Sequence, residues 1–174
     1  MHRIIILITL LSFIATQSIL AQQCNQYQIH IIESVSEIYD VSDDIYETKI
    51  ELNRLVTNLK DDKPVLNYQG VEEQLKSMKN NIGLTETSLE IALSNADMCG
   101  CLNGQIQSDE LLVEIDKLKD YSKELLKLLK SIKKIDDFDE IAEMFDNIDK
   151  LLNDSNEICE KVSEKAVKSQ NICY

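Results

Sequence analysis

The stretch that decides the fold is residues 24–59, CNQYQIHIIESVSEIYDVSDDIYETKIELNRLVTNL. Within it, mostly aliphatic residues recur at intervals of seven: Cys24, Ile31, Ile38, Ile45, Leu52 and Leu59. A second set of aliphatic residues widens the same stripe: Val35, Val41, Leu55 and Val56. Because this period places the residues on one face of a helix, the pattern predicts a long helix over about 25–60 with a buried seam.

Three similar stripes follow along the chain and predict helices over about 71–97, 108–133 and 138–171. Pro64 is expected to end the first helix, since the residue before a proline avoids the helical region. Ser108 is a candidate N-cap for the third helix. The acidic run from Asp136 to Glu140 is expected to cap the fourth helix rather than to bind calcium, because it lacks the EF-hand pattern.

These stripes predict an all-α fold, an up-down-up-down four-helix bundle with antiparallel neighbours and coiled-coil-like spacing. A single amphipathic helix is not stable alone in water, so each stripe needs a partner. The runner-up architecture is an elongated coiled coil in which some partner helices come from another chain.

The first 21 residues have the features of a secretory signal. His2 and Arg3 form a basic start, an apolar run covers 4–14, and Ala21 offers a small residue at the cleavage site. We therefore expect a signal peptide over 1–21 and a single secreted helical domain over 22–174. The apolar run is too short for a comfortable membrane span, so no membrane insertion of the mature chain is expected.

The composition narrows the classes of partner. The chain has 18 basic and 31 acidic side chains, a net charge of −13. Such acidity argues against a nucleic-acid partner, which requires clustered lysine and arginine. The predicted third helix is nearly neutral, whereas the first and last helices are acidic.

Five cysteines follow the signal: Cys24, Cys99, Cys101, Cys159 and Cys173. In an oxidising compartment they are read first as disulfides. Counting helix rise along the predicted bundle places Cys24 and Cys173 at one level, which favours a bridge between the termini. Cys159 is then expected to pair with Cys99, with Cys101 as the alternative partner or as the free thiol. The odd cysteine also allows a covalent dimer.

No set of catalytic residues is present, and we expect neither an enzyme nor a cofactor. The Cys99-Gly100-Cys101 pair with His30 lacks the two spaced ligand pairs of a zinc site, so no metal is expected. A Cys–His nucleophile would need a free thiolate near His30, and nothing supplies an oxyanion hole or a third orienting group.

Two further features concern modification and binding. Asn153-Asp154-Ser155 is a sequon for N-glycosylation, so Asn153 is a candidate acceptor. Hydroxyl residues interrupt the apolar stripes at Ser42, Thr85, Ser122 and Ser155. They either line a cavity for an amphipathic ligand or bond back to their own helix, and the second interpretation is favoured.

The sequence therefore predicts a secreted, extracellular, non-catalytic helical protein that acts by binding. An effector or inhibitor of an extracellular protein, in a secretion or body fluid, is the favoured function. The alternatives are a carrier of a small apolar or amphipathic ligand, and a disulfide-linked structural component of a secretion or matrix.

Overall fold

The computed structural model describes residues 2–59 and 66–173, with side chains from residue 18 onward. Within these ranges the chain forms four helices and no strands: α1 (His2–Asn58), α2 (Gln69–Met98), α3 (Leu102–Ile132) and α4 (Phe138–Ser169). The prediction of an all-α chain with four helices is confirmed.

Helices α2 and α4 end within two residues of their predicted bounds, but two helix starts differ. Helix α1 begins at His2 rather than near residue 25, since nothing over 2–24 is a glycine or a proline that would interrupt it. Helix α3 begins at Leu102, so the prediction of Ser108 as its N-cap was wrong. Cys101 caps this helix instead, because its sulfur accepts a hydrogen bond from the Gly104 amide.

The predicted stop of α1 at Pro64 lies outside the described residues. In the part of the chain that the structure describes, no helix holds a segment long and apolar enough to cross a membrane.

The predicted stripes form the core. In every helix most aliphatic residues of the stripe are almost fully buried, and Ile38 of α1, Leu75 of α2, Leu118 of α3 and Leu152 of α4 are examples. Val56 and Leu59, at the end of the first stripe, are partly buried. A single chain buries all four stripes. These core stripes are therefore buried without a helix from another chain.

Each helix packs mainly against two others, since α1 contacts α2 and α4 and α3 contacts the same two. Between α1 and α4, the Tyr27 hydroxyl donates to the Ser169 carbonyl (3.4 Å), and Ser42 donates to Asn156 (3.0 Å). Residue numbers thus fall along α4 as they rise along α1.

The interface between α2 and α3 follows the same rule. Lys119 contacts Glu86 at 2.6 Å, and further along α3 Lys133 contacts Glu72. Numbers again fall on one helix as they rise on the other. The part of α1 around Cys24, the α2–α3 turn and the end of α4 consequently meet at one end of the bundle, which brings four cysteines together.

Candidate functional site

Two disulfides close the end of the fold where the α2–α3 turn lies. Cys24 pairs with Cys99 and Cys101 pairs with Cys173, with Cα atoms 5.6 and 5.5 Å apart. The predicted pairs Cys24–Cys173 and Cys159–Cys99 were wrong, and Cys101 is bonded rather than free. Position along the helices put four cysteines at the right level, but it could not choose among partners at that level.

The turn between α2 and α3 decides which partners meet. Gly100 has φ of +72°, a left-handed conformation that favours glycine, and it lies between the two cysteines of the turn. Cys99 ends α2 beside α1, whereas Cys101 begins α3 beside the end of α4. The chain reversal at Gly100 therefore places Cys99 and Cys101 next to different helices.

Cys159 is the free cysteine, and it lies in the core at 2 % exposure. It precedes Cys173 by 14 residues of mostly helical chain, or about 21 Å along the axis. A disulfide needs Cα atoms within about 7 Å, so Cys159 is out of reach of the turn. Burial raises the pKa of its thiol to about 12.

The residues considered for catalysis or metal binding are engaged in other contacts. The His30 ring contacts Glu33 one helical turn away, at 2.6 Å. The cysteines of the turn are consumed in disulfides, so they offer no thiolate to His30. Among the described residues, no three histidine, cysteine, aspartate or glutamate side chains converge as metal ligands would.

The acidic segment before α4 acts as a helix cap. The Asp137 carboxylate accepts hydrogen bonds from the amides of Asp139 (2.9 Å) and Glu140 (3.2 Å). These amides would otherwise lack partners in the first turn. The interpretation of this segment as a cap is confirmed.

Asn153, the candidate glycosylation site, lies exposed on α4. Its amide nitrogen donates to Asp149 (3.1 Å), and its amide oxygen accepts from Lys49 of α1. Glycosylation at this position stays a prediction.

The four hydroxyl residues at core positions have three different environments. Thr85 and Ser155 donate to carbonyls of their own helices, at 2.9 and 2.7 Å, as the favoured interpretation predicted. Ser42 instead reaches across to Asn156. Ser122 is 1 % exposed, and its hydroxyl has no hydrogen-bond partner among the described residues. Of these four hydroxyls, that of Ser122 is thus the one without a hydrogen-bond partner among the described residues.

A line of apolar side chains runs along the solvent side of α1, away from the core. This outer stripe consists of large exposed residues: Ile29, Ile32, Tyr39, Tyr46 and Ile50. The tyrosines are 56 % and 64 % exposed. From the first to the last residue the stripe covers about 32 Å of helix. Aromatic residues in such positions are typical of protein-binding surfaces.

Acidic side chains flank the outer stripe. Glu33, Asp40, Asp43 and Glu47 are all exposed on the same helix. The surface of α1 therefore combines an apolar centre with a negatively charged border.

A second surface, between α2 and α3, has the opposite charge. Two adjoining cavities of about 350 and 150 Å³ lie there, and Lys79 lines both. We call them together the lysine groove, after the six lysines that line them: Lys76, Lys79, Lys119, Lys123, Lys130 and Lys133. Glu72 is the one acidic residue in the lining.

Ion pairs hold part of this groove in place. Glu72 binds Lys133 and Lys76, and hydrogen bonds from these two lysines lower the pKa of its carboxyl to about 2. Within the described part of the chain, Lys79 and Lys130 make no ion pair. Two cationic groups of the groove are therefore available to an anion.

Two carboxylates between α1 and α2 are poorly solvated. Burial raises the pKa of Asp44, although Ser77 and Asn81 donate hydrogen bonds to it. Burial likewise raises the pKa of Glu37, which accepts a hydrogen bond from Ser88 at 3.0 Å. Both carboxylates lie against a partner helix rather than in an open cleft, so their ionisation affects the stability of the fold.

Sequence reasoning missed the outer stripe and the lysine groove. The outer stripe is visible in the sequence as a second heptad, Ile32, Tyr39 and Tyr46, which the stronger core stripe obscured. The groove joins residues more than 40 positions apart in the chain, and its only signal was the high lysine content of the third helix. Comparison with known proteins adds no further guide, since the chain matches no family model, no curated protein and no solved structure.

Proposed function

We propose that the chain is a secreted, non-catalytic protein with an up-down-up-down, antiparallel four-helix bundle, and that it acts by binding an extracellular protein through the outer face of α1. The observation that carries this proposal is the outer stripe, whose five large apolar side chains are exposed in the described structure. Exposed tyrosines contribute strongly to protein interfaces because they bury a large area at a small cost in entropy.

The charge around the stripe indicates the kind of partner. The acidic border of Glu33, Asp40, Asp43 and Glu47 would be matched by lysine or arginine at the rim of the partner's surface. We therefore expect a partner with an apolar groove and a basic rim. Binding of this kind is consistent with an effector or inhibitor.

The two disulfides support secretion, because disulfides persist in oxidising compartments. Expression of the full chain in a secreting host, followed by N-terminal sequencing, tests this part. Gln22 is the expected first residue of the mature protein. A product that stays inside the cell with residues 1–21 attached would contradict it.

The binding surface is tested by capture from extracellular fluid of the natural source. The bait is the disulfide-intact protein, the variant Tyr39→Ser/Tyr46→Ser, or the matched control Leu84→Ser/Val113→Ser, which changes exposed residues on α2 and α3. A specific partner should be retained by the unchanged protein and the control, and lost by the tyrosine variant. Equal retention by all three would overturn the role of α1.

The second candidate function is a carrier of a small amphipathic ligand, and the lysine groove is the observation that favours it. Native mass spectrometry of protein from its natural source tests this function. A bound mass of a few hundred daltons supports it, and a clean mass of the protein alone opposes it. The third candidate is a structural component linked to other molecules by disulfides. Such a link needs an exposed thiol, but the free Cys159 is buried.

A further inference from the structure

We infer that the lysine groove binds an amphipathic monoanion, a molecule with one carboxylate or sulfonate head group and a short apolar tail. The head group would lie in the larger cavity and the tail in the smaller recess beside it. This inference rests on the carrier function proposed above and specifies its site and its ligand.

The charge of the groove is the first step of the argument. Six lysines and one glutamate line it, in a chain whose net charge is −13, and four of these lysines pair with Glu72, Glu86 or Asp120. Local positive charge of this kind attracts anions, although the molecule as a whole repels them. Lys79 and Lys130 are the cations that no described acid neutralises, so the head group is expected between them.

The smaller recess explains why the ligand needs a tail. Its lining includes Ile82, Gly83 and Ser122, and the lysines around it contribute aliphatic stems. It holds about 150 Å³, which suits a short alkyl chain or a ring but not a large lipid.

Gly83 has no structural requirement that accounts for it. Apart from its chain neighbours and the backbone of its own helix, a Cβ atom at this position would have no atom within 4 Å, and the residue is an ordinary helical glycine. Glycine weakens a helix interior, so the residue has a cost without a packing benefit. What the missing side chain does is leave the recess open.

Ser122 forms part of the wall of the recess. Its hydroxyl oxygen is itself buried, with no hydrogen-bond partner among the described residues, so it does not face the open space of the recess. Gly83 and Ser122 thus line a recess whose accessible wall is largely apolar.

The experiment uses the disulfide-intact chain and two probes, 1-anilinonaphthalene-8-sulfonate and decanoate. The fluorescence of the first probe should rise on binding, and decanoate should displace it, whereas decanol at equal concentration should displace it at least about tenfold less well. Added salt should weaken decanoate binding, because the head group contacts partly exposed lysines.

Matched variants locate the site. Gly83→Leu should fill the recess and weaken decanoate binding at least about tenfold, while Ser94→Leu, on an exposed part of the same helix away from the groove, should leave it unchanged. Lys79→Gln and Lys130→Gln should each weaken it about three- to fivefold, and Lys150→Gln on α4 should not. Circular dichroism and urea titration establish that each variant is folded.

Each outcome decides a different question. Binding of decanoate that Gly83→Leu and Lys79→Gln leave unchanged overturns this site, but leaves a carrier function elsewhere. Displacement by decanol as effective as by decanoate overturns the monoanion. Absence of binding by either probe overturns the site and its ligand class, and a bound mass in the native spectrum would then still support a carrier of other chemistry.

Discussion

At the scale of single residues, the environment of a side chain outweighs its chemical type. Cys159 would be a reactive thiol on the surface, but in the core it behaves as a small apolar residue. Tyr27, which lies two heptads before Val41, is fully buried, and burial raises the pKa of its hydroxyl to about 12. Both residues therefore contribute to the stability of the fold.

The first prediction concerns the reactivity of Cys159. Because its pKa is raised to about 12, only about one thiol in ten thousand is a thiolate at pH 8, and the sulfur is also shielded. Iodoacetamide without reductant should label it only after denaturation in guanidinium. Cys159→Ala serves as control and should take up no label in either state. Rapid labelling of the native protein would contradict the buried position.

The second prediction concerns Asp44 and pH. Its pKa is raised in the folded state, so ionisation of Asp44 opposes folding. The stability that comes from keeping Asp44 protonated is fully present below its unfolded pKa near 3.8, and it is lost as the pH rises through its folded pKa.

Asp44→Asn removes this ionisation and keeps an oxygen that can accept the hydrogen bond from Asn81 (2.7 Å in the unchanged protein). Urea denaturation should show a higher free energy of unfolding at pH 7 and little change near pH 3. The exposed neighbour Asp43→Asn is the control, with a smaller effect expected. A loss of stability at pH 7 would contradict the predicted sign.

At the scale of elements, the α2–α3 turn is the most constrained part of the chain. Gly104, in the first turn of α3, packs directly under the second disulfide. A Cβ atom there would lie 2.5 Å from the Cys173 sulfur and 3.1 Å from the Ala96 side chain. The turn therefore requires glycine at Gly104 for close packing, and at Gly100 for a positive φ.

The third prediction compares two helical glycines by the same substitution. Gly104→Ala should destabilise the fold by about 1–3 kcal/mol, because the methyl group overpacks against a disulfide. Gly83→Ala should stabilise it by about 0.5–1 kcal/mol, since its methyl group meets open space and helix propensity improves. Urea denaturation measures both, and equal signs would contradict the packing described here.

At the scale of the whole molecule, the two disulfides tie the helices together in pairs at one end. Cys24–Cys99 joins α1 to the end of α2, and Cys101–Cys173 joins the start of α3 to the segment after α4. At the other end, the described residues include ion pairs such as Glu72–Lys133 but no disulfide. The molecule is thus secured covalently at one end and by side-chain packing along its length.

The fourth prediction concerns these bridges. Peptide mapping without reduction should find Cys24 linked to Cys99 and Cys101 linked to Cys173, and a Cys24–Cys173 peptide would contradict the structure. The bridges span 75 and 72 residues, so each is worth about 4 kcal/mol in the chain-entropy model. The double variant Cys24→Ser/Cys99→Ser should lower the free energy of unfolding by up to that amount, whereas Cys159→Ala leaves both bridges intact.

The sequence by itself determined the four helices and their buried faces. Hydrophobic periodicity is a local property, so Ile38, Leu75, Leu118 and Leu152 could be placed in the core from spacing alone. The cap at Asp137 was predictable for the same reason, since a cap depends on the next few residues.

Only the tertiary structure decided the disulfide partners of Cys24 and Cys101 and the lysine groove. Helix rise gives the level of a residue along an axis, but not the neighbour that it faces around the axis. The partners of Cys24 and Cys101 depend on that second coordinate, and so does the presence of Lys79 and Lys130 around one cavity. Periodicity therefore predicts which residues are buried, and the packing of whole helices decides which distant residues meet.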